Sequence, residues 1–348
     1  MQKKSTMINI KYNSSTLTLI CGAVLLTLFV ACNADAPSQK PVTKAVASPE
    51  TSVSALTNKI KATPNNANLY VQRASAYYKE SAFDEAIADL TKALSIDSTQ
   101  VMYYHSLADV YLDYNKSRLA LETMTKASNR FPKRIPTLLK LSEFQLILTK
   151  NQESLQTLNK ILQIDPQNSE AFFMLGLNFK DLGDEQRAIN SFQSAVENNP
   201  DLIDAWVELG YLYDKKNDPI ASKYFDNALR VDSTNVFALE AKGNHLGNQG
   251  KFAEAIQTYK KIHRLDRENP NAYYNIGLAY LQMDSIAQAA RNFDISVNVD
   301  PLYIMGYFYR AYTAELRGDK AAAQKDYEQV LRLNPDFERA QAALEKLK

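Results

Sequence analysis

The sequence is poor in residues that hold a fold together covalently. Its 348 residues include two cysteines, Cys21 and Cys32, both near the N-terminus. No disulfide can therefore tie the rest of the chain. Glycine is scarce, at 10 residues, which argues against a sheet-rich or loop-rich fold. Three histidines, His105, His245 and His263, stand far apart without metal-ligand spacing, so no metal site is expected and surface or partly buried imidazoles are. Glycine-rich phosphate loops and nucleophile motifs are missing, and no cofactor or catalytic residue is expected. Net charge is close to nil: 40 basic and 39 acidic residues leave +1. Such a chain sets up no overall field to draw nucleic acid or an acidic membrane. What it does have is 45% hydrophobic residues and 20 tyrosines, enough for a large core.

The first 15 residues carry Lys3, Lys4 and Lys11 and no acid, and Leu17–Ala31 follows as an uncharged apolar run. A basic segment before a short apolar one is the layout of a secretory signal peptide, expected over residues 1–31. The run falls short of the roughly 20 residues of a bilayer span, and an uncleaved signal anchor is the alternative. The run ends Leu28-Phe29-Val30-Ala31-Cys32. This resembles a bacterial lipobox, with Ala31 at the small position and Cys32 as the lipidated residue, although Phe29 replaces the usual leucine. The resemblance implies a diacylglycerol on Cys32 and a membrane anchor of two or more chains. Asn33 is not the aspartate that commonly retains Gram-negative lipoproteins in the inner membrane, which points to the outer membrane, in either leaflet. Residues 32–52, with Pro37, Pro41 and Pro49 and no apolar period, read as a flexible tether.

The remainder, 53–348, is periodic. In Asp204–Val231, Trp206, Leu209, Gly210 and Tyr213 share one helical face and Ala221, Phe225 and Ala228 another. Asn217-Asp218-Pro219 breaks them apart, with Asp218 suited to cap the second helix and Pro219 to its first turn. Eight such units run 67–100, 101–134, 135–168, 169–202, 203–235, 236–269, 270–303 and 304–337. In the first helix of each unit a large residue opens one column (Tyr70, Tyr104, Leu138, Phe172, Trp206, Leu239, Tyr273, Tyr307), and a small one follows four residues on, from Ala74 to Ala311. The second helix repeats the device: a small residue, as Ala188, then a large one, as Phe192. Small residues let helix backbones approach, and large ones a turn away fill the space. The third unit, with Ser142, Gln145 and Ser154 in these columns, should pack more loosely or bend the array. Asp97, Asp165, Asp232, Asp266 and Asp300 recur before each closing position and read as turn residues. Val53, Leu56 and Ile60 continue the second-helix register upstream, and Phe337, Ala340, Leu344 and Leu347 form a stripe on a capping helix over 338–348.

These columns resemble the tetratricopeptide repeat (TPR), and with the N-terminus the chain resembles a bacterial TPR lipoprotein. The resemblance implies an all-α, right-handed α-solenoid of about eight hairpins with capping helices. It implies a non-enzymatic scaffold or adaptor of the cell envelope that holds an unidentified partner protein or peptide in a concave groove lined by the first helices. The alternative is a self-associating assembly or regulatory subunit of a secretion, pilus or peptidoglycan-processing machine; an enzyme would need a catalytic domain for which the repeats leave no room. The oligomeric state is open. The groove positions carried over are Val71, Ser75, His105, Asp109, Leu139, Glu143, Phe173, Leu177, Val207, Tyr211, Glu240, Asn244, Tyr274, Leu278, Phe308 and Tyr312. Leu139, Phe173, Leu177, Val207, Tyr211, Asn244, Tyr274, Leu278, Phe308 and Tyr312 are taken as the partner-binding set. Ser75 and Asp109 stand where a carboxylate clamp would place its donors. Met174, Glu208 and Ala241 interrupt an asparagine ladder that only Asn275 matches.

Overall fold

A computed structural model describes residues 52–347. The signal segment 1–31, Cys32 and all of the tether but Ser52 lie outside the described residues. Among those described there are eighteen α-helices and no strand. Helix α1 (Val53–Ala62) precedes eight hairpins. They are α2 (Ala67–Lys79) with α3 (Phe83–Ile96), α4 (Val101–Asp113) with α5 (Ser117–Arg130), α6 (Ile135–Ile147) with α7 (Asn151–Ile164), and α8 (Ser169–Asp181) with α9 (Glu185–Asn198). The series continues with α10 (Ile203–Lys215) and α11 (Ala221–Val231), α12 (Val236–Asn248) and α13 (Phe252–Leu265), α14 (Pro270–Gln282) and α15 (Ile286–Val299), and α16 (Ile304–Leu316) with α17 (Lys320–Leu333). Helix α18 (Glu338–Leu347) closes it. The helices fall into two compact units, α1–α9 up to Pro200 and α10–α18 from Asp201. Within each, every helix packs on the next in the chain, and first helices of adjacent repeats also meet, as α6 with α8, α10 with α12 and α14 with α16.

The column chemistry explains the packing. The small column of the second helices, Ala86, Ala120, Ser154, Ala188, Ala221, Ala255, Ala289 and Ala323, is wholly buried. In four hairpins the small residue of the first helix is glycine, and a ring lies where its side chain would be. A Cβ built on Gly176, Gly210, Gly243 or Gly277 would sit 2.4–2.6 Å from a carbon of Phe192, Phe225, Tyr259 or Phe293. Where the small residue is Ala74, Ala108 or Ser142, the opposing residue is the aliphatic Leu90, Met124 or Leu158. Volume is thus exchanged across each crossing, as close packing demands. The eighth hairpin differs: Ala311 and Tyr327 share one core cluster, and the Tyr327 hydroxyl donates to Glu315 Oε2 at 3.1 Å.

The third repeat packs tightly through polar groups. Ser154 Oγ donates to the Ser142 carbonyl at 3.0 Å, Thr157 Oγ1 to Gln145 Oε1 at 2.8 Å, and Asn178 Nδ2 to Ser154 Oγ at 3.0 Å. Ser142, Ser154 and Asn178 have no exposed surface. The expectation of looseness is corrected: hydrogen bonds join Ser142, Gln145, Ser154 and Thr157 in the column positions, although the buried Oδ1 of Asn151 and that of Asn178 have no partner among the described residues.

Each hairpin turn follows one rule. The residue in the left-handed region is Ser81, Asn115, Thr149, Gly183, Asn217, Gly250, Asp284 or Gly318, with φ between 54° and 80°. The N–H after it donates to the carbonyl five residues back, as Lys150 to Gln145 at 2.7 Å and Asp184 to Phe179 at 2.8 Å. That is the Schellman end of a helix, for which glycine is the usual residue. In the fifth repeat, one residue shorter, Asp218 accepts from the Ile220 N–H at 3.0 Å, but α11 begins only at Ala221. Pro219 therefore precedes the helix instead of opening it. The recurrent aspartates behave as turn residues: Asp97, Asp165, Asp232, Asp266 and Asp300 each accept from the N–H two residues on, at 2.8–3.2 Å.

Thr149 is the β-branched member of the left-handed set, at φ 55°. Thr149→Gly should raise stability by about 1 kcal/mol, because relief of the left-handed cost outweighs the entropy that glycine adds to the unfolded chain. Urea titration of parent and variant tests the sign.

Candidate functional site

The first helices supply the wall on which the partner-binding set was placed. In the unit up to Pro200, Leu139, Phe173 and Leu177 are half-buried. The Phe173 ring lies 5.6 Å from that of Phe192, which the glycine at 176 admits between the helices. Beside Leu139, Lys140 Nζ meets Asp109 Oδ1 at 2.7 Å. Burial pushes the Glu143 carboxyl up to about 7, Lys140 opposing it and Asp109 assisting.

In the unit from Asp201, Tyr211, Asn244, Tyr274 and Tyr312 are half-buried. Tyr211 stands edge-on to Phe225 at 5.6 Å and to Phe237 of the following repeat at 6.4 Å. Tyr274 stands edge-on to Tyr303 at 5.7 Å and to Tyr309 at 5.6 Å. Asn244 Oδ1 accepts from the Tyr259 hydroxyl at 2.7 Å. Three members of the set are not on the surface. Val207 is fully buried among Phe225, Ala228 and Ala238. Leu278 and Phe308 are 2% and 5% exposed in the last core cluster. The next repeat covers the first two, α12 lying over Val207 and α16 over Leu278; Phe308 is covered by Phe337, just before the capping helix, at 5.3 Å between the rings. An open cavity of about 290 Å³ remains between α16 and α18, lined by Phe308, Tyr309, Tyr312, Tyr327, Arg339 and Lys346 among others. The Arg339 guanidinium lies 4.5 Å over the Phe308 ring.

Two of the three histidines are further inside than expected, while His263 is partly buried as expected. His105 and His245 are each 4% exposed. His245 Nδ1 meets Asp214 Oδ1 at 2.6 Å, joining the fifth repeat to the sixth. His105 Nε2 pairs with Thr137 Oγ1 at 3.1 Å, and its buried Nδ1 has no partner among the described residues. Burial, with Lys140 and Arg134, pushes His105 down to about 4. The unfolded chain then takes up this proton first as pH falls. The stability that neutral His105 supports is complete above its ordinary 6.5 and is lost as pH drops from there toward 4. Between pH 7 and 4, His105→Leu should gain on the parent by on the order of 3 kcal/mol, read as the pH dependence of the difference in urea midpoints. An equal pH dependence in both proteins would refute the assignment.

Some residues of the wall were not legible from the columns. Tyr303 lies in the loop before α16, and its hydroxyl donates to Asn271 Oδ1 at 2.7 Å. Phe237 and Asn271 occupy the second position of α12 and α14. Their signal was the same repeat register, read one turn earlier. Among the described residues no group of three or more His, Cys, Asp or Glu could hold a metal ion, and no helix is long and apolar enough to cross a membrane.

Family models described as a tetratricopeptide or TPR repeat match residues 67–100, 170–201, 243–284 and 306–337. The chain carries tetratricopeptide repeats. The Hsp70-Hsp90 organizing protein of Triticum aestivum is 23% identical over 264 residues, 75% of this chain and 40% of that protein. Among solved structures, the yeast Tom70 superposes with a TM-score of 0.54 at 14% identity, covering 85% of this chain and 84% of its own. A chain of the APC/C hetero-tetramer Cut9-Hcn1 gives a TM-score of 0.53 at 17% identity, covering 84% and 58%. These similarities show a TPR solenoid fold. The chain spans less than half the length of the wheat protein.

Proposed function

We propose that this TPR chain is a non-catalytic scaffold that binds a partner protein or peptide on its first-helix face, and that a lipid on Cys32 holds it at a bacterial cell envelope, most simply the outer membrane. The observation that carries the binding reading is the half-buried aromatic wall of Tyr211, Tyr274 and Tyr312 in the unit from Asp201; Phe173 is half-buried in the other unit. Aromatic side chains that stay partly open supply contact area at small entropic cost, which is why they dominate interfaces. The wheat relative is named for organising two other proteins, which suits a partner-holding role. The anchor rests on the sequence alone, on Ala31-Cys32 after the apolar run.

The test is a crosslinking pull-down with the full chain, in detergent, from an envelope extract. Beside it run a variant with Phe173, Tyr211, Tyr274 and Tyr312 changed to alanine, checked by circular dichroism, and Cys32→Ser. A protein held by the parent and lost from the aromatic variant supports the wall. Equal capture by both moves binding to another face. Cys32→Ser should lose the acyl mass and the partition into detergent; an unchanged mass would remove the anchor. The second reading, a self-associating subunit, requires a concentration-dependent oligomer whose formation the same four substitutions abolish.

A further inference from the structure

We propose that the first-helix face of the unit from Asp201 receives a cationic side chain, an arginine or lysine of the partner, between Tyr211 and Tyr303 and against the Glu240 carboxylate. This rests on the partner-binding reading above and adds its chemistry.

The charges on the four first helices of this unit carry the argument. The bases are engaged elsewhere. Lys242 Nζ meets Ser222 Oγ at 2.6 Å and Asp226 Oδ1 at 2.9 Å, on the second helix of the preceding repeat. Arg310 meets Asp326 and Asp294, also on second helices. His245 is taken by Asp214, and Lys215 lies exposed in the last turn of α10. The acids are not balanced in the same way. Glu240 and Asp204 are half-buried, and neither makes an ion pair or a side-chain hydrogen bond among the described residues. Burial alone raises the pKa of both carboxyls above the ordinary range. A desolvated carboxylate without a counter-charge is a standing cost that a cation relieves.

The rings supply the second half of the site. Glu240 stands one turn beyond Phe237 on α12, and the Phe237 ring meets Tyr211 at 6.4 Å; after burial itself, the Glu240 charge raises the phenols of both Tyr211 and Tyr303. The bond from the Tyr303 hydroxyl to Asn271 fixes one ring, and Tyr274 braces it edge-on at 5.7 Å. Phe225 and Phe237 brace Tyr211. A guanidinium entering here meets a carboxylate and aromatic rings together, the combination that binds it best. An acidic side chain would meet Glu240 as a like charge. Specificity then comes from rejection as well as attraction.

The experiment is fluorescence anisotropy of the full chain with three labelled peptides of alternating leucine and a variable residue: arginine, norleucine or glutamate. The arginine peptide should bind about tenfold tighter than the norleucine one, and the glutamate peptide more weakly than either. Glu240→Gln should remove that tenfold advantage and leave norleucine binding unchanged. Glu268→Gln, the same charge change on the exposed loop before α14, should leave all three as in the parent. Equal loss in both variants would make the preference a general field effect and overturn the site; so would equal affinity for the three peptides, or no binding of the arginine peptide at all. If norleucine and arginine peptides bind alike and Tyr211→Ala weakens both, the partner-binding face survives and the cation site falls.

Discussion

Asp326→Ala should cost the last repeat about 3 kcal/mol, the range for removing one partner of a buried ion pair. Arg310 Nε and Nη2 donate to the two carboxylate oxygens of Asp326 at 2.7 and 2.8 Å, a planar two-point match. Asp326 is 6% exposed, so its loss strands a guanidinium in a place that water reaches poorly. The remaining bond, from Nη1 to Asp294 at 2.6 Å, goes to a carboxylate that is half exposed and screened. Asp326 holds the guanidinium above its ordinary pKa, so Arg310 stays charged and cannot escape by neutralising. The first repeat makes the same pair over the same spacing, Arg73 to Asp89 with both bonds at 2.7 Å. The repeats after it place Leu107, Leu141 and Leu175 at the arginine position and Thr123, Thr157 and Ser191 at the aspartate position. They provide the control. Arg310→Leu with Asp326→Thr should return to within about 1 kcal/mol of the parent, because well-packed apolar groups replace buried ion pairs at little cost. In a repeat array the loss stays near the site, so it is read by hydrogen exchange of the α17 amides. A double variant as unstable as the single would show that the cost is lost packing, not a stranded charge.

Gly176→Ala should destabilise the fourth hairpin by about 1–3 kcal/mol, the usual cost of overpacking a close crossing. The added methyl would lie 2.4, 2.5 and 2.7 Å from Cε1, Cδ1 and Cζ of Phe192. Phe192 has no exposed surface and lies against Phe173, so its ring cannot swing clear. Helix propensity opposes the effect, since alanine gains about 1 kcal/mol over glycine in a helix; a net loss therefore requires the clash to exceed that. The remedy is already present in the chain: Ala74 faces Leu90. Phe192→Leu in the Gly176→Ala background should recover most of the stability, although Phe192→Leu alone should lose some. Urea midpoints of the four proteins form a double-mutant cycle. Simple additivity would show that the glycine is not there for the ring.

The sequence by itself determined the repeat. Small and large residues recurring at helical spacing leave few ways to bury the large ones, so the eight hairpins and both capping helices were legible before any coordinates. The aspartates before each closing position were legible for a local reason: a carboxylate and an N–H two residues on bond without help from the rest of the fold. Tertiary structure decided what the columns leave open. Val207, Leu278 and Phe308 hold groove positions by register, yet the following repeat covers the first two and Phe337 before the capping helix covers the third, and register cannot say how closely two first helices approach. The left-handed turn position escaped notice because only Gly183, Gly250 and Gly318 mark it; packing of the flanking helices holds Thr149 and four other non-glycine residues there. The polar third repeat read as a defect because hydrogen bonds between Ser142, Ser154 and Asn178 span distant positions and exist only once the helices meet. Glu240 was legible as a groove position, but its lack of a counter-charge was not: that follows from Lys242 and Arg310 turning toward the second helices. Local spacing selects the hairpin, and contacts between hairpins select which of its side chains remain for a partner.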